Sequence, residues 1–160
     1  MRNLLSIATI KAENDEAAFL FEVYASSRID EVAAWGWEKE QIHQFLQMQH
    51  LCQQRSYELQ YPHMETKIIF FENEKVGRLL LADFKDKLVL VDITLLSNYQ
   101  NKGIGTKVLT DLLQYAGQQN KIVQLHVFSN NEKAKKLYER LGFQQVSMKD
   151  MYVQMEWSGY

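Results

Sequence analysis

The sequence predicts an α/β fold of the α+β kind, one layered domain over residues 1–160. Three observations carry that prediction. Apolar runs of strand length at 67–71, 76–83 and 88–95 succeed one another across short polar turns, the pattern of an antiparallel meander. The last run leads through Tyr99-Gln100-Asn101-Lys102-Gly103-Ile104-Gly105-Thr106 into an amphipathic helical stretch. A further strand, a further helix and two strand-like stretches then complete the chain. A chain of 160 residues buries about 68–70% of its unfolded surface, enough for one core without disulfide or metal staples.

Residues 4–10 alternate well enough for an opening strand, and Asn14 or Asp15 is placed to cap a helix running to about Ser26. From about 38 to 60, Ile42, Phe45, Leu46, Gln49 and Gln53 recur at helical spacing. This second helix ends before Tyr61-Pro62, because the residue preceding a proline disfavours the helical region. Two helices thus precede the main sheet, whose meander turns at 72–75 and 84–87. A helix over 104–118 is followed by 122–128, rich in β-branched residues and read as a strand. A helix over 131–141 and strand-like stretches at 144–148 and 151–157 come last. Pro62 is the only proline, and no internal repeat, low-complexity tract or linker interrupts the order.

A net charge of −2 provides no basic face for nucleic acid, which is not expected as a partner. The charge is unevenly divided: residues 1–66 hold 5 Lys and Arg against 10 Asp and Glu, net −5, whereas 67–160 hold 13 against 10, net +3. An acidic front half suits a cationic small molecule and a basic rear half a polyanionic one, since each field concentrates its opposite. The single cysteine, Cys52, has no partner within the chain; it is read as helix packing and fits a reducing compartment. Residues 1–25 show no basic start followed by an apolar core, and no window approaches 18 apolar residues, so the reading is a cytoplasmic protein without signal peptide or membrane span. His43, His50 and His63 lack ligand partners at convincing spacing, and no metal is expected.

The strand, the turn with glycines two apart and the helix start present backbone N–H groups at the positive end of a helix, where they can hold a pyrophosphate. A dinucleotide-binding fingerprint would need a third glycine where this chain has Val108, and it would open the first βα unit rather than lie two-thirds along the chain. A phosphate-loop NTPase would need Gly-Lys-Ser/Thr, which is missing. A second motif, Asn131-Glu132-Lys133-Ala134-Lys135-Lys136-Leu137-Tyr138-Glu139-Arg140-Leu141-Gly142-Phe143, follows the strand at 122–128.

The combination of Gln100-x-x-Gly103-x-Gly105 with Asn131-x-x-Ala134-x-x-Leu137-Tyr138-x-x-x-Gly142-Phe143 resembles the Gcn5-related N-acetyltransferase (GNAT) superfamily. The motifs lie within 88–143, and the order of elements matches over the whole chain. The resemblance implies a mixed, mostly antiparallel, twisted sheet of six to seven strands flanked by about four helices. Its fourth strand (88–95) and fifth strand (122–128) would splay apart to admit the pantetheine arm of acetyl-CoA. The implied activity is transfer of an acetyl group from acetyl-CoA to a primary amine of a small molecule or protein, by direct attack in a ternary complex. A non-catalytic acyl-CoA-binding or protein-interaction module on the same fold is the alternative.

Pantetheine carries two amides, so an unpaired strand edge at Ile93, Thr94 and Leu95 can bind it as a further strand. The amides of Asn101, Lys102, Gly103, Ile104, Gly105 and Thr106 would face the pyrophosphate, with glycine at 103 and 105 because a β-carbon would hold the phosphate off the backbone. Gln100 would order this loop. Asn131 matches the family asparagine that contacts the pantetheine arm; for Lys133, Lys135, Lys136 and Arg140 the readings are an approach to the adenosine 3′-phosphate or, for most of them, a solvated helix face. Tyr138 matches the family tyrosine near the thioester sulfur, which protonates the departing CoA thiolate; a phenol with an ordinary pKa of about 10 carries its proton at neutral pH. The acceptor ammonium must also lose a proton. His126 stands where some members carry a glutamate, and an imidazole of ordinary pKa about 6.5 can accept it. Asp92 or a water chain are the alternatives; with Ile93 and Leu95 facing one way along the strand, Asp92 and Thr94 face the other. In this family the first two helices wall the acceptor pocket. Here Tyr24, Arg28, Asp30, Glu31, Trp35, Trp37 and Glu38 form an aromatic and acidic set suited to a cationic amine. A homodimer fits the fold.

Overall fold

The computed structural model describes residues 7–159. Strand β1 (Ile7–Lys11) leads through a single 3-10 turn at Asn14–Glu16 into helices α1 (Ala17–Ala33) and α2 (Lys39–Gln60). The meander β2 (Glu65–Phe71), β3 (Glu74–Asp83) and β4 (Lys87–Leu95) follows, then α3 (Ile104–Gln118), β5 (Ile122–Phe128), α4 (Glu132–Arg140), β6 (Gln144–Lys149) and β7 (Tyr152–Trp157). One sheet takes these seven strands in the order β1-β2-β3-β4-β5-β7-β6, antiparallel except where β4 lies beside β5. The expected mixed sheet with four helices is therefore present; the part of the opening strand before residue 7 lies outside the described residues.

Local chemistry accounts for where the elements differ from expectation. Helix α1 continues to Ala33 instead of stopping near Ser26. The Ser26 and Ser27 hydroxyls donate to the carbonyls of Val23 and Tyr24 at 2.9 and 2.6 Å, which absorbs both serines into the helix. Val32 then packs with Tyr24 and Leu46 in a small core between α1 and α2. Asn14 and Asp15 do not cap α1; they form the 3-10 turn before it, and Glu16 is the N-cap without a side-chain bond. Helix α2 opens on a capping box between Glu38 and Gln41 and ends at Gln60, as Pro62 requires. The first hairpin turn shrinks to Glu72-Asn73, both with positive φ (52° and 67°), so Phe71 pairs directly with Glu74. Cys52 is exposed on α2 rather than packed.

Alternation divides the sheet into two faces. Leu79 and Leu81, Leu88 and Leu90, Val123 and Leu125, and Val153 and Met155 bury against Ile104, Val108, Leu109 and Leu112 of the α3 side. Arg78 and Leu80 face the other way, toward α1 and α2. In β4, Leu80 lies opposite Asp92 and Leu81 opposite Leu90, so Val91 is an extra residue in a β-bulge. The bulge keeps Ile93 and Leu95 packed on the α3 side, in phase with Leu88 and Leu90, while Asp92 and Thr94 turn toward α2. Gly77 lets β3 and β4 approach at this end, since a β-carbon there would overlap the Thr94 carbonyl oxygen.

Parallel pairing between β4 and β5 covers only Lys87↔Ile122 to Leu90↔Leu125. Strand β5 then stays with β7 as far as Phe128↔Tyr152. The two central strands part after Leu90, as the resemblance implied, and among the described residues no strand pairs with 91–95 of β4 on that side.

Candidate active site

The loop after β4 is pinned at its start: the Gln100 side-chain amide donates to the Leu95 carbonyl at 3.0 Å. Asn101 (φ 59°) and Gly103 (φ 83°) take left-handed backbone, which turns the chain sharply into α3. The Gly103 carbonyl accepts the first helical bond, from Lys107 N–H at 3.0 Å. Helix geometry therefore leaves the N–H groups of Ile104, Gly105 and Thr106 without intrahelical acceptors, pointing out of the positive helix end. Ile104 is fully buried, so the amides of this helix start that reach the surface are those of Gly105 and Thr106. Beside Gly105 the fold leaves room, because a β-carbon there would meet only Leu95 Cδ1 at 3.7 Å. Two lysines add positive charge: Lys102 lies 5.8 Å from the Tyr99 ring centre, and Lys133 of α4 donates to Asn101 Oδ1 at 2.6 Å. Backbone amides, helix dipole and ammonium groups thus converge where an anion of pyrophosphate type fits.

At the gap, the Ile93 and Leu95 side chains are held in the core, which turns this part of β4 edge-on to the opening. Asn131 caps α4, its Oδ1 accepting from Ala134 N–H at 3.1 Å, so its amide NH2 is the group available to a ligand. Tyr138 packs edge-to-face on Phe143 with ring centres 5.5 Å apart. Burial pushes its phenol up to about 12, and the Asp92 carboxylate across the gap adds to the effect.

The other face of the opening is a cleft of about 540 Å³ between the end of α2, β4, β5 and the β6–β7 hairpin. His126 is exposed into it, on the same sheet face as Asp92. Asp92 is held by neighbours: Arg78 Nε and Thr94 Oγ1 each donate to its Oδ2 at 2.8 Å. Arg78 is 5% exposed, and its Nη2 donates to Gln53 of α2 at 3.0 Å, tying that helix to the sheet. Tyr57 also lines the cleft; burial first, then the Asp92 charge, pushes its phenol up to about 12 against an opposing pull from Arg78.

Of the stretch from Tyr24 to Gln60 expected to wall an acceptor pocket, only its end (Ser56, Tyr57 and Gln60) lines this cleft. Tyr24, Arg28, Asp30, Glu31, Trp35, Trp37 and Glu38 do not line this cleft. Tyr24 is buried against His50 and accepts from Arg28, which pairs with Glu31. Trp35 and Trp37 cluster with Phe45, at centroid distances of 5.2 to 5.4 Å. The reason is reach: α2 has 22 residues and so spans about 33 Å, and its end, not its start, meets the parted strands. Sequence reasoning passed over Arg78, Tyr57 and the hairpin. The available signal was Arg78 itself, a charge inside the apolar run of β3 that needs a buried partner. Among the described residues no group of three His, Cys, Asp or Glu could hold a metal ion, and no helix is long and apolar enough to cross a membrane.

Comparison with known proteins adds to this geometry. The probable spermine N(1)-acetyltransferase of Bacillus subtilis subsp. natto (strain BEST195) is 37% identical over 75 residues, 46% of this chain and 43% of that protein. The spermine/spermidine N(1)-acetyltransferase of Bacillus subtilis (strain 168) matches to the same extent. The aligned stretch of this chain thus spans less than half the length of these curated relatives. The crystal structure of the PaiA N-acetyltransferase from Thermoplasma acidophilum, in complex with coenzyme A, shares the fold with a TM-score of 0.70 at 19% identity, over 96% of this chain and 99% of that one. The model of the Acetyltransferase (GNAT) family matches residues 29–143, a span that takes in the meander, the parted strands, the glycine loop and α4, and the chain belongs to that family.

Proposed function

We propose that the protein is an acetyl-CoA-dependent N-acetyltransferase, moving an acetyl group to a primary amine by direct attack in a ternary complex. The observation that carries this reading is the parting of β4 and β5 after Leu90, with an anion-binding helix start on one side of the sheet and a polar, aromatic cleft on the other. Acetyl-CoA fits the first side. The edge of β4 at Ile93, Thr94 and Leu95 meets the pantetheine amides, the loop from Gln100 to Thr106 takes the pyrophosphate, and Asn131 turns its NH2 to the arm. The names of the Bacillus relatives support a cationic amine as acceptor.

In the proposed reaction His126 takes a proton from the acceptor ammonium, directly or through water, because only the neutral amine attacks. The nitrogen bonds to the thioester carbonyl carbon, the C–S bond breaks, Tyr138 gives its proton to the leaving sulfur, and the excess proton left on the nitrogen passes to the resulting tyrosinate, which leaves the amide and CoA thiol. The buried phenol stays protonated throughout the neutral range and so presents its O–H to that sulfur. Asp92, already accepting from Arg78 and Thr94, serves as a fixed charge beside the gap rather than as the base. No covalent enzyme intermediate or metal is called on. An exposed free thiol at Cys52 suits a reducing, cytoplasmic setting.

The test is calorimetric titration with acetyl-CoA and, separately, with a nicotinamide dinucleotide, followed by an amine screen monitored through free-thiol release. Micromolar binding of acetyl-CoA alone, with thiol release on adding an amine, is expected. Absence of acetyl-CoA binding would overturn the proposal, and binding without release by any amine would leave a non-catalytic acyl-CoA module.

A further inference from the structure

The α2-side cleft says more about the acceptor than that it is an amine. Its walls are phenolic: Tyr57 and Tyr61 come from the end of α2, and Tyr152 from β7. Tyr152 is itself held flat by Phe128, with ring centres 4.4 Å apart and planes at 26°. The fixed charges of the lining are one of each sign, Lys149 and Asp150 at the β6–β7 turn, so the wall has no net charge. The carboxylate behind it, Asp92, is already engaged by Arg78 and Thr94.

From this we infer that the cleft selects an amine with a single ammonium group on an aromatic or apolar body, in preference to a polyamine with several. The inference rests on the acetyltransferase reading of the same site. An ammonium leaving water needs a carboxylate or an aromatic face as a substitute. A chain with three or four such groups needs several carboxylates along its length, and here the second would meet Lys149 instead. One ammonium is satisfied by phenol faces and Asp150, and a ring or apolar chain behind it stacks between the tyrosines. The cleft, at about 540 Å³, lies in the ordinary range of about 300–1,000 Å³ for small-molecule sites. The acidic residues of the front half that would suit a polycation, Glu31 and Glu38 among them, are absent from its lining.

The experiment compares kcat/KM for 2-phenylethylamine and spermidine by thiol release, on the full chain at one pH and ionic strength, alongside an acetyl-CoA titration. Phenylethylamine is expected to be favoured at least tenfold. Tyr152→Ala is expected to reduce that preference about tenfold while acetyl-CoA affinity stays within twofold, which shows that the variant is folded. Lys149→Glu is expected to raise the spermidine value severalfold. A spermidine value equal to or above that of phenylethylamine overturns the inference, as does a preference that survives Tyr152→Ala. Intact acetyl-CoA binding without turnover of phenylethylamine overturns the inference alone; loss of acetyl-CoA binding in the wild type brings down the functional reading with it.

Discussion

Replacing Tyr138 by phenylalanine removes one oxygen and leaves the ring packed on Phe143. The phenol, pushed up to about 12, is roughly a hundredfold less ionised at any neutral pH than an ordinary one of pKa about 10. The O–H is therefore present as a donor to a leaving sulfur over the whole working range, while burial also makes it the weaker acid. General acids contribute about 10²–10⁴-fold, and a thiolate, whose conjugate acid has a pKa of only about 8.5, needs the lower end of that help. The expected result is a fall in kcat of about a hundredfold, with the calorimetric acetyl-CoA affinity within twofold of wild type. The pH profile is a second check. Tyr138 is active when protonated, so the wild-type enzyme should show no falling limb from this group until the pH approaches about 12. A change in kcat below about threefold at unchanged acetyl-CoA affinity would remove Tyr138 from the mechanism.

The same phenol links pH to stability. Its folded pKa lies above the unfolded value of about 10, so its contribution is fully present below pH 10 and is lost as the pH rises toward 12; two pKa units correspond to about 2–3 kcal/mol, and alkaline urea melts in which Tyr138→Phe shows the same slope as wild type would contradict this. Arg78→Leu leaves Asp92 and Gln53 without their shared donor, and should cost about 3 kcal/mol, at the low end for a broken buried pair because the Asp92 side chain is 25% exposed. That is a drop of about 6–12 °C in Tm, most of it recovered by adding Asp92→Leu; a loss under about 1 kcal/mol in the single variant would deny the pair its role. For His126→Ala, activity that falls at neutral pH and recovers as the pH rises would support the base, whereas a pH-independent loss would point to structure. Gly103→Ala should destabilise by about 1–2 kcal/mol through its φ of 83° and weaken acetyl-CoA in titration, since this left-handed cap aims the amides of Gly105 and Thr106; unchanged affinity would uncouple the cap from the site.

The proposed cofactor side of the site rests on sequence signals that are local. Residues 100–106 carry their own turn and helix start, and Asn131 caps the helix that bears Tyr138, so short stretches of sequence contain the whole arrangement. The proposed acceptor side was not legible, because the cleft is assembled from segments far apart in the chain. Tyr57, His126 and Tyr152 meet only after the sheet has closed β5 onto β7 and α2 has been tied down through Gln53 to Arg78. Trp35 and Trp37 drew attention by composition, yet they cluster with Phe45 at the start of α2, away from this cleft. The Arg78–Asp92 pair spans 14 residues of sequence, and its geometry depends on a bulge at Val91 that no residue type advertises.

Val91 is also the place where β4 loosens from both neighbours. The ladder to β3 slips by one residue there, and the ladder to β5 has just ended at Leu90. The chain thus carries a spare link at the mouth of its cleft. Removing that link would restore a regular ladder, with Asp92 still opposite Leu80 and Ile93 and Leu95 still inward, and would take out the bend and extra twist that the bulge gives β4 on its way to the phosphate loop. The core would be spared while the two halves of the site lost their alignment. Length, and not residue type, is the quantity this position controls.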